Sequence, residues 1–141
     1  QAAVRADALF NRLYVEPALG LGYPLKDLPF LNRVEKYVRD GDESRLPFDY
    51  DFIGIQNYTR EVARYAWWMP FVQADLVKAA KRGCDPTLMG WEVYPECIYQ
   101  MLHQFAAYPQ VKRLVVTENG AAFPDTVTDG RVHDPRRTQY L

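Results

Sequence analysis

Apolar residues recur with helical spacing in three parts of this chain. Residues 2–14, 30–39 and 92–106 each place apolar side chains three or four positions apart, which predicts amphipathic helices. Pro17, Gly20, Gly22 and Pro24 predict that a loop follows the first helix. Residues 74–81 carry a weaker helical pattern.

Two short runs have the composition of β-strands instead. Residues 49–58 (Asp-Tyr-Asp-Phe-Ile-Gly-Ile-Gln-Asn-Tyr) and 112–117 (Lys-Arg-Leu-Val-Val-Thr) are rich in β-branched or aromatic residues. Their apolar centres are typical of strands buried on both faces of a parallel sheet. A loop containing Pro124, Asp129 and Gly130 is expected to follow Glu-Asn-Gly at 118–120, and Asp134-Pro135 then predicts an N-cap with proline at the first helical position.

The order helix, helix, strand, helix, strand and helix start favours an α/β fold built from parallel βαβ units. The 141 residues, 48% of them hydrophobic and 25% charged, are enough for one packed domain. Both ends fall inside predicted helices. We therefore expect residues 1–141 to be a single partial domain of a longer chain.

Charge and cysteine content narrow the class of protein. A net charge of −1 and a pI near 6.1 provide no basic surface for nucleic acid or an anionic membrane. No apolar run approaches the roughly 20 residues of a membrane-spanning helix. Cys84 and Cys97 belong to no metal-binding spacing, so we expect free thiols in a reducing, cytoplasmic compartment, with no metal and no cofactor.

Glu118 lies where a catalytic residue of an α/β fold is expected. It directly follows a predicted parallel strand, and ligands bind at the carboxyl ends of such strands. Asn119-Gly120 allows the chain to turn away sharply and leaves the carboxylate in the mouth of the fold. Position alone is equally compatible with Glu118 being merely the first exposed residue after a strand.

Five segments match one known pattern in the same order along the chain. They are 7–12 (Asp-Ala-Leu-Phe-Asn-Arg) through 22–24 (Gly-Tyr-Pro), 51–59 (Asp-Phe-Ile-Gly-Ile-Gln-Asn-Tyr-Thr), 90–96 (Gly-Trp-Glu-Val-Tyr-Pro-Glu), 114–122 (Leu-Val-Val-Thr-Glu-Asn-Gly-Ala-Ala) and 130–137 (Gly-Arg-Val-His-Asp-Pro-Arg-Arg). In these segments the chain resembles glycoside hydrolase family 1, the β-glucosidase and β-galactosidase family. The resemblance implies an incomplete part of a (β/α)₈ TIM barrel, about strands six and seven with their flanking helices.

The resemblance also implies roles for two residues. Glu118 matches the nucleophile of a retaining β-glycosidase, which attacks the anomeric carbon of a β-glucoside and forms a covalent glycosyl-enzyme. Tyr58 matches the tyrosine whose hydroxyl hydrogen-bonds and orients that nucleophile. The residues alone leave open that Tyr58 is an ordinary half-buried tyrosine at a strand end.

Further candidates flank these two residues. Gln56 stands where the family usually has asparagine and is a candidate for binding the sugar, with its amide shifted by one methylene. Trp67, next to Trp68, is a candidate for lining the leaving-group side, although both can equally be anchors of the loop core. We interpret Trp91 and His103 as packing residues, and His133 as a hydrogen-bonding residue between loop and helix.

The family's acid/base carboxylate, in an Asn-Glu-Pro segment, has no counterpart in this sequence. Glu16-Pro17 is preceded by Val15 and follows a helix rather than a strand. We therefore expect the 141-residue chain alone to be inactive, and to self-associate through exposed barrel edges. A non-catalytic carbohydrate-binding or scaffold remnant of the barrel, and an unrelated small α/β domain, are the alternatives.

Overall fold

The computed structural model describes residues 1–141, apart from the side chain of Glu35. The elements in chain order are α1 (Ala2–Asp7), a π-helical turn (Ala8–Arg12), α2 (Leu13–Ala18), two 3₁₀ helices (Pro29–Arg33 and Glu35–Tyr37), α3 (Asp42–Arg45), β1 (Ile53–Gln56), β2 (Ala63–Tyr65), β3 (Ala74–Leu76), a 3₁₀ helix (Ala79–Arg82), α4 (Cys97–Ala106), β4 (Leu114–Glu118), β5 (Val127–Thr128), β6 (Arg131–Val132) and α5 (Pro135–Tyr140). Two compact units are formed, Gln1–Tyr50 with Val62–Leu76, and Asp51–Glu61 with Val77–Leu141.

The first unit begins with a longer helical segment than the sequence predicts. Helix α2 continues through Pro17 to Ala18, so the predicted loop is present but begins after Ala18 instead of at Pro17. The last turn is held by Arg12, which donates to Glu16 Oε1 and to Asp27 Oδ2, each at 2.7 Å. These ion pairs stabilise a turn that lacks the backbone hydrogen bond proline cannot make.

The predicted helix over residues 30–39 is wrong, because 3₁₀ turns occupy most of this stretch. Its expected inward residues Val34, Tyr37 and Val38 are 46%, 71% and 38% exposed. Within this unit their apolar stripe is not covered. A ten-residue helix is marginal in water without such packing, which explains why the α-helix does not form.

The predicted helix over residues 74–81 is also wrong at its start. Strand β3 pairs there with β2 as an antiparallel hairpin, with Ala63 opposite Leu76 and Tyr65 opposite Ala74. Arg5 of α1 ties the hairpin down, since its Nη1 donates to Gln73 Oε1 at 2.5 Å. These contacts join residues far apart in sequence, so local periodicity does not reveal them.

The second unit contains the predicted parallel strands. Strands β1 and β4 pair in parallel and α4 lies between them in the chain, which confirms the βαβ arrangement. The expected burial on both faces is wrong, because in β1 and β4 only Ile55 is buried, at 4% exposure. In the described chain this sheet has two strands, so each has a neighbour along one edge only.

Three further details of this unit bear on the predictions. Both cysteines are free thiols, as expected, although Cys84 is half-buried and only Cys97 is buried. The loop after Glu118 contains the β5–β6 hairpin, in which Asp129-Gly130 adopts positive φ as a two-residue hairpin turn requires. Asp134 Oδ1 accepts the backbone N–H of Arg137 at 3.0 Å, which confirms the predicted N-cap of α5.

No helix among the described residues combines the length and the apolar character that a membrane crossing requires.

Candidate active site

The carboxyl ends of β1 and β4 form the candidate site. Gln56 is the last residue of β1 and Glu118 is the last residue of β4. Because the two strands run parallel, both residues emerge at the same edge of the sheet, which is the edge where ligands bind in α/β folds. Sequence position predicted Glu118 at this edge, and the family resemblance implied that Tyr58 meets it.

A β-bulge decides how Glu118 faces β1. Ile55 pairs with Val116, but the next residue, Gln56, pairs with Glu118, so Thr117 is the extra residue of β4. The Thr117 hydroxyl donates to the carbonyl of Ile55 at 3.3 Å, which fixes the bulged residue against β1. Bulges re-aim side chains next to functional sites, and this one places Glu118 directly opposite Gln56.

Glu118 accepts a hydrogen bond on each carboxylate oxygen. The Gln56 side-chain amide donates to Oε1 at 2.7 Å, and the Tyr58 hydroxyl donates to Oε2. The bond to Glu118 is the main cause that raises the pKa of Tyr58, because the phenol loses this bond when it ionises. Two neutral donors therefore orient an exposed carboxylate without neutralising its charge.

Tyr58 is itself held from two sides. Its ring lies 5.6 Å from that of Trp91, with the planes tilted by 42°. Its backbone carbonyl accepts the hydroxyl of Tyr140 at 2.8 Å. Trp91 was interpreted from the sequence as a packing residue; it does pack on Tyr58, but at 37% exposure it also lies at the surface of the site.

A buried carboxylate behind Tyr58 was not predicted from the sequence. Glu92 is 6% exposed and accepts two bonds from Arg60, Nε to Oε2 at 2.9 Å and Nη2 to Oε1 at 2.8 Å. Arg82 Nη2 lies 2.8 Å from Oε2. The bond from Arg60 is the main cause that lowers the pKa of Glu92 to about 2. The available signal in the sequence was a charged residue placed between Trp91 and Val93-Tyr94.

Arg60 and Glu92 also connect the segment after β1 to the segment that carries Trp91. The Thr59 hydroxyl donates to the backbone carbonyl of Glu92 at 2.9 Å. The Arg60 guanidinium lies 3.8 Å from the centroid of the Tyr94 ring. The residues that follow Tyr58 are thus bonded to those that follow Trp91, which holds the two rings against each other.

The loop that follows Glu118 is held by Arg137. Its Nε donates to the carbonyl of Ala121 at 2.9 Å, and its Nη2 donates to the carbonyl of Phe123 at 3.0 Å. Nη2 also donates to Asp125 Oδ1 at 2.9 Å. The planar fork of arginine suits several acceptors at once, so one side chain orders residues 121–125.

The remaining candidates lie elsewhere. Trp67 belongs to the first unit, is 74% exposed and stands edge-on to Trp68 at 6.2 Å, so its substrate-binding role stays a prediction. His103 is exposed on α4 with its ring 4.4 Å from that of Tyr99, and His133 is exposed in the loop before α5. The predicted set that the structure brings together is Gln56, Tyr58 and Glu118.

An exposed, oriented carboxylate can act as a nucleophile or a general base towards a bound electrophile. Comparisons with known proteins narrow this choice. A family model described as glycosyl hydrolase family 1 matches residues 1–141. β-Glucosidase A of Thermotoga maritima is 35% identical over 146 residues, which cover 99% of this chain and 31% of that protein.

Solved structures agree with the sequence match. The crystal structure of the AHE enzyme from Alicyclobacillus herbarius is similar with a TM-score of 0.83 at 34% identity, covering 99% of this chain and 31% of that one. The β-glucosidase from Thermotoga maritima in complex with methoxycarbonyl-substituted glucoimidazole gives a TM-score of 0.80 at 30% identity, with the same coverage of 99% and 31%. The chain therefore spans about a third of the length of these proteins.

Proposed function

Because this chain belongs to glycosyl hydrolase family 1, we propose that it supplies the nucleophile of a retaining β-glycosidase that hydrolyses β-linked glucosides. Its fold is part of the TIM barrel of its structural neighbours. Within that barrel we assign β1 to the sixth strand and β4 to the seventh. The nucleophile is Glu118.

The observation that carries this proposal is the pair of hydrogen bonds on Glu118. Gln56 and Tyr58 hold its two carboxylate oxygens while the side chain stays exposed to solvent. A carboxylate that is positioned before substrate arrives needs little reorganisation to reach an anomeric carbon. Because both donors are uncharged, they leave Glu118 the negative charge that nucleophilic attack requires.

The proposed reaction uses two carboxyl groups about 5–5.5 Å apart, the separation typical of retaining glycosidases. Glu118 forms a bond to the anomeric carbon while the bond from that carbon to the leaving oxygen breaks, and the second carboxyl group protonates that oxygen. Water then attacks the glycosyl-enzyme. The second group, now a base, accepts the water proton, and Glu118 is released as a carboxylate.

The second carboxyl group belongs to a part of the barrel outside these 141 residues. The sequence contains no Asn-Glu-Pro segment, and both partners that Glu118 bonds are neutral. Removing a general acid lowers the rate by about 10²–10⁴-fold. We therefore propose that the isolated chain does not turn over glucosides and that activity requires the rest of the barrel.

Labelling by a mechanism-based 2-fluoro glucoside tests this function. Residues 1–141 are fused into β-glucosidase A of Thermotoga maritima in place of the matched segment, and peptides are examined by mass spectrometry. We expect the sugar on the peptide containing Glu118, and no label in the matched Glu118→Gln hybrid. The unaltered Thermotoga enzyme serves as the positive control.

Two outcomes contradict the proposal in different ways. A hybrid that binds glucoimidazole inhibitors but is never labelled supports the alternative of a non-catalytic carbohydrate-binding remnant. Turnover of an aryl β-glucoside by the isolated chain, abolished by Glu118→Gln, disproves the claim that the chain alone is inactive.

A further inference from the structure

Tyr140 is a buried tyrosine whose hydroxyl reaches the candidate site. It is the last residue of α5 and is 5% exposed. Its hydroxyl donates to the backbone carbonyl of Tyr58 at 2.8 Å, across 82 positions of sequence. Its ring alone would provide the apolar packing, so the hydroxyl needs a separate explanation.

The carbonyl that Tyr140 binds lies beyond the end of β1. The strand pairing continues one residue past Gln56, where the N–H of Asn57 donates to the carbonyl of Glu118 at 3.1 Å. Tyr58 follows directly and its carbonyl faces Tyr140 rather than a strand. Backbone just past the end of a strand moves more easily than the strand itself, because inter-strand hydrogen bonds no longer hold it.

Tyr140 also lies near the segment that follows β4. The side chain of Asn119, the residue after Glu118, and the thiol of Cys97 on α4 are close enough to its hydroxyl to influence the pKa of Tyr140. Asn119 in turn donates from Nδ2 to the carbonyl of Asn57 at 2.6 Å. The Tyr140 hydroxyl therefore lies where Asn119 joins the segments that follow β1 and β4.

We propose that Tyr140 is a positioning residue, whose hydroxyl fixes the backbone of Tyr58 and the side chain of Asn119 so that the Tyr58 hydroxyl stays on Glu118. The consequence for catalysis rests on the proposed role of Glu118 as nucleophile. The positioning itself does not, because it concerns only contacts within the second unit.

The chemistry of the cluster fits a fixed hydrogen-bonding role. Burial is the main cause that raises the pKa of Tyr140, and likewise that of the Cys97 thiol. Both groups therefore remain protonated, and Asn119 is neutral at every pH. A buried phenol hydroxyl without a hydrogen-bond partner destabilises the fold, because its desolvation is not compensated. The Tyr58 carbonyl is that partner.

The test is Tyr140→Phe in the 141-residue chain, with the ionisation of Tyr58 as the readout. Tyrosinate absorbance is titrated against pH for a chain and for the same chain with Tyr58→Phe. The difference between the two curves gives the pKa of Tyr58 alone, whether or not the chain is oligomeric. The same difference is measured with and without Tyr140→Phe. Glu118→Ala gives the pKa of Tyr58 when its hydrogen bond to Glu118 is lost. Tyr99→Phe, on the exposed face of α4, is the matched control.

We expect the pKa of Tyr58 to fall in Tyr140→Phe towards its value in Glu118→Ala, and to stay raised in Tyr99→Phe. A purely structural role of Tyr140 would lower the melting temperature without moving the pKa of Tyr58. An unchanged pKa of Tyr58 in a folded Tyr140→Phe chain therefore disproves the proposal.

A second measurement decides the matter if Tyr140→Phe does not fold. Proton-detected solid-state NMR of the unmodified chain should show the Tyr140 hydroxyl proton beside the carbonyl carbon of Tyr58, and its absence contradicts the proposal. In a labelled, active hybrid, Tyr140→Phe should lower kcat roughly tenfold with KM little changed. If Glu118 is never labelled, the proposed function fails while the result on Tyr58 still stands.

Discussion

Gln56 faces Glu118 across a β-bulge, and its side-chain amide donates to Glu118 Oε1 at 2.7 Å. Tyr58, two residues further on, binds the other oxygen. Gln56 is a candidate for binding the sugar because of its position in a family motif, but its amide is already engaged with the carboxylate. Its main contribution is therefore expected in orienting Glu118, and any contact with substrate comes in addition.

Gln56→Met keeps the length of this side chain and removes its donor. We expect labelling of Glu118 by a 2-fluoro glucoside to slow about tenfold in the hybrid enzyme, since a hydrogen bond to a charged group is worth about 1.5–3 kcal/mol and this one is exposed to solvent. Gln56→Asn should give a similar loss, because the shorter amide does not reach Oε1. An unchanged rate in both variants would show that Tyr58 alone orients the carboxylate.

A side chain at Gly54 would crowd the bulged residue Thr117. A Cβ added there would lie 3.1 Å from Thr117 Cγ2, tighter than ordinary van der Waals contact. We expect Gly54→Ala to lower the free energy of unfolding by about 1–3 kcal/mol, the usual cost of overpacking. Chemical denaturation of the chain measures this change.

A double-mutant cycle separates crowding from other effects of Gly54→Ala. Thr117→Ala removes the atoms in closest contact and leaves its own Cβ 3.9 Å from the added one. In the Thr117→Ala background we expect Gly54→Ala to cost about 1 kcal/mol less than in the unmodified chain. Equal costs in both backgrounds would mean that the two side chains do not meet.

The buried Glu92 should make stability depend on acid pH. Its pKa is lowered from 4.5 to about 2 in the folded state, so this carboxylate stabilises the fold above pH 4.5 and loses that contribution as the pH falls towards 2. Glu92→Gln should remove this dependence and lower the free energy of unfolding by about 3 kcal/mol at neutral pH, because Arg60 and Arg82 lose their partner.

The control for Glu92 is an exposed ion pair. Arg64 Nη2 lies 2.9 Å from Asp75 Oδ2, with the two side chains 55% and 33% exposed. Asp75→Asn should change the free energy of unfolding by less than about 1 kcal/mol and leave the acid profile intact. A Glu92→Gln chain with the same acid profile as the unmodified one would show that other carboxylates dominate acid unfolding.

The strand edges and apolar surface of the chain predict self-association. Val116 of β4 is 43% exposed and β4 pairs only with β1 in the described chain. Unpaired edges with exposed apolar residues favour pairing with another copy. We expect oligomers in light scattering, reduced by Val116→Lys and not by Glu43→Lys on the exposed surface of α3. A monodisperse monomer would contradict this expectation.

Some features followed from the sequence because they depend on neighbouring residues. Strand β4 was predicted from four consecutive β-branched or apolar residues, and the N-cap at Asp134 from the proline beside it. Apolar residues in 30–39 have helical spacing, but such spacing shows only which face of a helix would have to pack against another element. Without that partner the face stays exposed and the helix does not form.

Sequence alone indicated that Glu118 stands at the end of a parallel strand and that Tyr58 lies in another segment that resembles the same family. The family resemblance also implied the bond from the Tyr58 hydroxyl to Glu118, whereas only the tertiary structure revealed the other contacts around this carboxylate. The bulge at Thr117, the bond from Gln56, the buried Glu92 and the hydroxyl of Tyr140 all join residues more than thirty positions apart. Such contacts depend on how strands and helices align in space, and no local pattern of side chains specifies that alignment.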